Sequence, residues 1–76
     1  MATINLDPGE EFAHIHDVVS TTAAVRGEVE LTFNGQTIRL TAVPVVIPAH
    51  TLHMMVNVGE ITAVVRCGYG VGGGRR

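Results

Sequence analysis

Residues 27–40 read Gly-Glu-Val-Glu-Leu-Thr-Phe-Asn-Gly-Gln-Thr-Ile-Arg-Leu, and no other stretch leaves the chain so few options. Val29, Leu31 and Phe33 alternate with Glu28, Glu30 and Thr32, the period of a strand with one face buried and one in water. Asn34-Gly35 follows at once, and Ile38 and Leu40 resume the alternation beyond it. A two-residue hairpin turn of type I′ needs positive φ at both central residues, which Asn and Gly supply at least cost. The segment is therefore predicted to be a β-hairpin, with its apolar row facing a core that the rest of the chain must provide.

That remainder is short. A chain of 76 residues holds one domain. Its apolar residues make up 46% and its charged residues 16%, a balance that favours folding over disorder. Further strand candidates are Thr3 to Leu6, Val45 to Ile47, Met54 to Val58 and Ile61 to Arg66, separated by turn chemistry at Asp7-Pro8-Gly9, Pro48 to Thr51 and Gly59-Glu60. No window of helical length has a 3.6-residue period. Short strands separated by turns predict an all-β sandwich or barrel over residues 1–69. Residues 70–76, Gly-Val-Gly-Gly-Gly-Arg-Arg, have little to bury and are expected to form a flexible Gly/Arg tail.

So small a core supplies only about 3 to 5 kcal/mol of net stability, and such domains usually add a disulfide, a metal or a partner subunit. Cys67 is the single cysteine and has no partner within the chain. A metal, a second subunit or both are left.

Charge narrows the partners. The net charge is −2, lysine is absent, and Arg26, Arg39, Arg66, Arg75 and Arg76 are scattered, so no nucleic-acid surface is expected. The longest apolar run, Val43 to Ala49, is broken by Pro44 and Pro48 and is too short to span a bilayer, so no membrane partner is expected either. The first residues lack the charged-then-apolar order of a secretion signal, and a cytoplasmic protein with a reduced thiol is the expectation.

Two of the four histidines stand one residue apart in Phe12-Ala13-His14-Ile15-His16-Asp17. On a strand they share a face, with Cα atoms about 6.6 Å apart, close enough for two imidazoles to converge on one ion. By itself this spacing fits exposed or hydrogen-bonded histidines as well as ligands. A second segment, Pro48-Ala49-His50-Thr51-Leu52-His53-Met54-Met55-Val56-Asn57, places His53, Met55 and Asn57 on one face of a strand entered through a proline-led turn.

Together the two segments resemble the paired motifs of the cupin superfamily. Four residues separate Gly9 from His14, three separate His16 from Ser20, and six separate Ser20 from Gly27; in the second motif Pro48, His53 and Asn57 match in type and spacing. Ala42 and His50 stand where that motif has glycines. The hairpin at 27–40 then corresponds to the short region between the motifs. The resemblance implies a cupin-type double-stranded β-helix, or jelly-roll, barrel of short antiparallel strands. It implies His14, His16 and His53 as metal ligands, and it puts the family's glutamate ligand on Ser20, a poor ligand for a divalent cation.

A three-histidine site of this kind lacks an anionic protein ligand and keeps positions open for water, dioxygen or an oxygen-bearing substrate. Neutral imidazole does not choose among Fe, Mn, Ni, Cu and Zn. Phe12, Ser20, Met55 and Asn57 are the candidate substrate contacts. His50 has two readings: a turn residue tolerating positive φ, or a general base near the ion.

The implied function is a metal-dependent enzyme acting on a small oxygenated molecule. Dioxygenase-like chemistry is slightly favoured over isomerase, cyclase or lyase chemistry, because histidines without the glutamate resemble the oxygenase group. The alternative is a small-molecule or sugar-binding module without turnover, or a metal-free member. Few residues precede Gly9 to close the barrel edge, and open edges invite pairing, so a homodimer is expected.

Overall fold

A computed structural model describes residues 2–69. Eight strands follow one another: β1 (Ala2–Leu6), β2 (Glu11–His14), β3 (Ser20–Arg26), β4 (Val29–Phe33), β5 (Gln36–Arg39), β6 (Val45–Ile47), β7 (His53–Asn57) and β8 (Ala63–Tyr69). Among the described residues there is no helix, and hence none long and apolar enough to cross a membrane. The predicted tail at 70–76 lies outside the described residues.

The strands form two four-stranded sheets, in the orders β1-β8-β3-β6 and β2-β7-β4-β5, with every pairing antiparallel. Chain neighbours mostly lie in different sheets, so the chain winds back and forth between the layers. This is the double-stranded β-helix. The exception is the β4–β5 hairpin, where Phe33 pairs with Gln36 across Asn34 (φ 52°) and Gly35 (φ 75°), both positive as the Asn-Gly turn requires.

Alternation then decides which side chains meet between the layers. Leu6, Val29, Leu31, Ile47, Met55, Ala63, Val65 and Cys67 are buried there, with Ile4, Phe12, Phe33 and Val45 packed around them. Opposite faces carry the charges: Arg39 of β5 lies beside Glu30 at 3.7 Å and Glu28 at 3.5 Å. Gly27 turns the chain from β3 into β4 at φ +84°, and a Cβ there would come within 2.8 Å of the Ala63 Cα. Only glycine allows β8 so near.

β3 is the strand that sequence periodicity does not announce. Its inward residues Ser20, Thr22 and Ala24 are buried, yet two are polar and one is small, so no apolar alternation marks them. Its place is set by its neighbours: β3 sits between β8 and β6, with a register shift between Ala24 and Arg26. Strand ends also move by one to three residues from expectation. β7 begins at His53 and β8 at Ala63, while β2 stops at His14, leaving His16 beyond the strand.

Candidate metal centre

The antiparallel register brings the histidines together. His14, last in β2, pairs with His53, first in β7, and Phe33 of β4 pairs with His53 from the other side. His16 lies two residues past the end of β2, and its carbonyl accepts a 2.7 Å hydrogen bond from the His50 N–H. The turn between β6 and β7 thereby holds the segment that carries His16. His50 itself has φ 59° and an exposed side chain, so its turn reading describes its backbone correctly.

Three imidazoles result at one end of the barrel. Ring centroids are 3.9 Å apart for His14 and His16, 4.9 Å for His14 and His53, and 5.3 Å for His16 and His53. The Nε2 atoms of His14 and His16 are separated by 2.6 Å. One nitrogen from each of the three rings lies within 4.8 Å of the others, a group that can hold a metal ion. His50 is not part of it.

His53 provides the test of fit. It is 1% exposed, and its Nδ1 lies 3.1 Å from the Thr51 carbonyl oxygen. A carbonyl only accepts, so Nδ1 carries the hydrogen and Nε2 is left with a lone pair. That Nε2 is buried and has no partner among the described residues. Buried polar atoms are nearly always satisfied, and metal-bound histidines commonly donate their second ring N–H to a backbone carbonyl. Imidazole nitrogens bind divalent ions at about 2.0 to 2.1 Å, so ligand nitrogens stand roughly 3 to 4 Å apart, a spacing close to that of this trio, whose nitrogens lie within 4.8 Å of one another.

Electrostatics agree. Burial, and then the neighbouring His16 and His53, push the His14 pKa below the usual imidazole value. Burial and His53 lower that of His16, with Asp17 opposing. Both are thus biased toward the neutral form, which is the ligand form. Burial also pushes the Cys67 thiol up, a Thr22 hydroxyl 4.0 Å away only partly offsetting it, which favours the thiol over the thiolate.

The remaining candidates separate. The Phe12 ring meets the His14 ring edge-on at 4.8 Å between centroids and forms its wall. Ser20 is 1% exposed, at the inward start of β3. Met55 shares the face of His53 and is fully buried in the row between Phe12 and Leu31.

Asn57 does not sit with the histidines at all. It ends β7, and its amide is spent on backbone: Nδ2 donates to the carbonyls of Leu6 and Ile61, both at 2.8 Å, and Oδ1 accepts from Gly59 N–H at 2.8 Å. Both amide hydrogens are used and the side chain is buried, so the structure shows Asn57 as a loop tie and not as the substrate contact expected from its parity. Conversely, the Thr51 carbonyl and Phe33 belong to the surroundings of His53 and were not among the candidates. A carbonyl leaves no trace in side-chain patterns, whereas the inward parity of Phe33 at the hairpin's end was available.

No protein-family model matches the sequence, and no curated protein does. Solved structures do. A cupin superfamily protein from Desulfitobacterium hafniense aligns at 20% identity and TM-score 0.74 over 88% of this chain and 62% of its own. A predicted oxalate decarboxylase from Thermotoga maritima aligns at 18% identity and TM-score 0.75 over 86% of this chain and 59% of its own. The chain thus spans about three fifths of the length of these natural relatives. A de novo designed double-stranded β-helix is matched over 94% of its length, at 16% identity and TM-score 0.71. Strand order, barrel and neighbours agree: the chain has the cupin fold, and its described residues amount to little more than the double-stranded β-helix itself.

Proposed function

We propose that the chain is a metal-dependent enzyme that holds a divalent ion through His14, His16 and His53 and acts on a small oxygen-bearing molecule, with dioxygenase-like chemistry ahead of isomerisation or elimination. One observation carries this reading: the buried Nε2 of His53 has no partner among the described residues while the opposite nitrogen is fixed by the Thr51 carbonyl. Such an ion, with three neutral protein ligands, supplies Lewis acidity toward a carbonyl, carboxylate or enolate oxygen and, when redox-active, a route to dioxygen.

The chain's own contributions are positional. Thr51 fixes the tautomer and ring plane of His53, and the His50 N–H fixes the backbone of His16. Phe12 packs edge-on against His14 and supports that ring from the side.

A second reading, ligand retention without turnover, is favoured by the position of His50. The candidate base is exposed and stands outside the three-nitrogen group. Metal analysis of untagged protein, repeated on His53→Ala, tests the first reading. Stoichiometric iron, manganese or another divalent ion lost in the variant supports it; a wild type without stoichiometric metal refutes it. Metal retained without dioxygen uptake or conversion across diketones and thiols shifts the conclusion to the binding module.

A further inference from the structure

Among the described residues, two buried side-chain polar atoms have no hydrogen-bond partner: His53 Nε2 and Ser20 Oγ. The first has been explained by a metal; the second has not. An unpartnered buried hydroxyl destabilises a fold relative to alanine, so its presence calls for a partner that is absent from the protein itself.

Ser20 lies where such a partner arrives. It is the first residue of β3, and its Cα partner Ile47 is the last of β6, whereas His14 is the last of β2 and His53 the first of β7. Residues 17–19 alone join His16 to Ser20, and the turn that follows Ile47 is bonded to the His16 carbonyl through His50. The start of β3 and the three histidines therefore occupy the same end of the barrel, on facing sheets. Ser20 also alternates in register with Thr22 and Ala24, all buried, so its side chain faces the interior. Thr22 sits beside Cys67 Sγ; Ser20 has no such neighbour.

We infer that the Ser20 hydroxyl is the hydrogen-bond donor to an oxyanionic ligand bound at the histidine centre, such as a carboxylate, enolate or hydroxamate oxygen. This rests on the metal reading proposed above. A hydroxyl at this place donates to the ligand oxygen without taking a position on the ion or cancelling its charge. It discriminates by charge and by acceptor: an anionic oxygen is favoured over an amine nitrogen that brings its own hydrogens.

The test uses Co(II) as the metal and acetohydroxamate as the oxygen-bearing probe, followed by the visible Co(II) spectrum, on wild type and Ser20→Ala. Co(II) affinity stays within about threefold, because the hydroxyl is not a ligand. Acetohydroxamate affinity falls about tenfold or more, the loss typical of a hydrogen bond to a charged acceptor. The metal-free variant also melts higher than wild type, by about 4 °C or more, since an unsatisfied buried group has been removed. Ser20→Cys, a weaker donor of similar size, falls between the two in probe affinity. Equal probe affinity in wild type and Ser20→Ala overturns the inference, and so does a lower melting temperature of the metal-free alanine variant, which would show the hydroxyl already bonded in the fold. A wild type that takes up no Co(II) sinks the metal reading before any probe is added, and the role of Ser20 with it.

Discussion

Replacing Asn57 by alanine should cost this protein a large share of its stability while leaving the histidine trio intact. Its side chain ties the end of β1, through the Leu6 carbonyl, to the loop that follows β7, through the Gly59 N–H and the Ile61 carbonyl, each at 2.8 Å. Its own N–H and carbonyl further bond Glu10 and Gly9 at 3.1 and 3.0 Å. At about 1 kcal/mol net per side-chain bond, and more where the abandoned partner stays buried, Asn57→Ala loses about 3 kcal/mol. A chain of 76 residues has roughly 4 to 11 kcal/mol in total. The expected change is a fall in melting temperature of about 15 °C with an unchanged urea m-value. Asn57→Asp is the sharper probe: it keeps the acceptor for Gly59 but turns a second oxygen toward two carbonyls. It should cost at least as much as alanine at pH 7 and recover part of that as falling pH protonates it. Metal stoichiometry, measured well below the transition, should match wild type in both. A loss below about 1 kcal/mol, or wild-type stability with ligand binding abolished, would refute the loop-tie assignment and restore Asn57 to the substrate.

Two further outcomes follow from the geometry. His14 and His16 titrate below the ordinary imidazole value when folded, so the unfolded chain binds protons first. The stability of chelator-treated protein should therefore be fully present above about pH 6.5 and decline as pH falls below that value through the folded ones; a flat profile from pH 7.5 to 5.5, or an equal slope in a His14→Gln, His16→Gln double variant, would contradict it. Gly27→Ala, at φ +84° with Ala63 Cα at 2.8 Å, should cost several times more in urea unfolding than Gly35→Ala, at φ +75° with open space around it and a backbone cost of about 1 kcal/mol. Equal losses at the two sites would show that the contact with Ala63 yields easily.

The legible parts of the molecule are those in which one side chain answers to one physical requirement. Asn34-Gly35 announced a hairpin because both positions need positive φ, and the hairpin is there. His14, His16 and His53 were legible as a set only through the resemblance to the paired cupin motifs; the β2–β7 register sets His14 beside His53, and His16 joins them from beyond the strand. β3 was not, because a strand enclosed by β8 and β6 can bury Ser, Thr and Ala without any apolar alternation. Asn57 was misjudged for a related reason: parity put it on the face of His53, but parity cannot tell a residue at the metal end of a strand from one at the loop end. The Thr51 carbonyl and the His50 N–H act through backbone atoms, which every residue owns, so composition has no means of marking them.

The bond from His50 N–H to the His16 carbonyl also bears on how such a protein can diversify. It asks only that residue 50 have an amide hydrogen and tolerate φ near 59°, so glycine, asparagine or aspartate would serve and proline would not. The exposed imidazole is thus mechanically uncoupled from the turn that steadies the His16 segment. The side chain at position 50 can therefore change freely while the turn keeps its hold on the segment that carries His16.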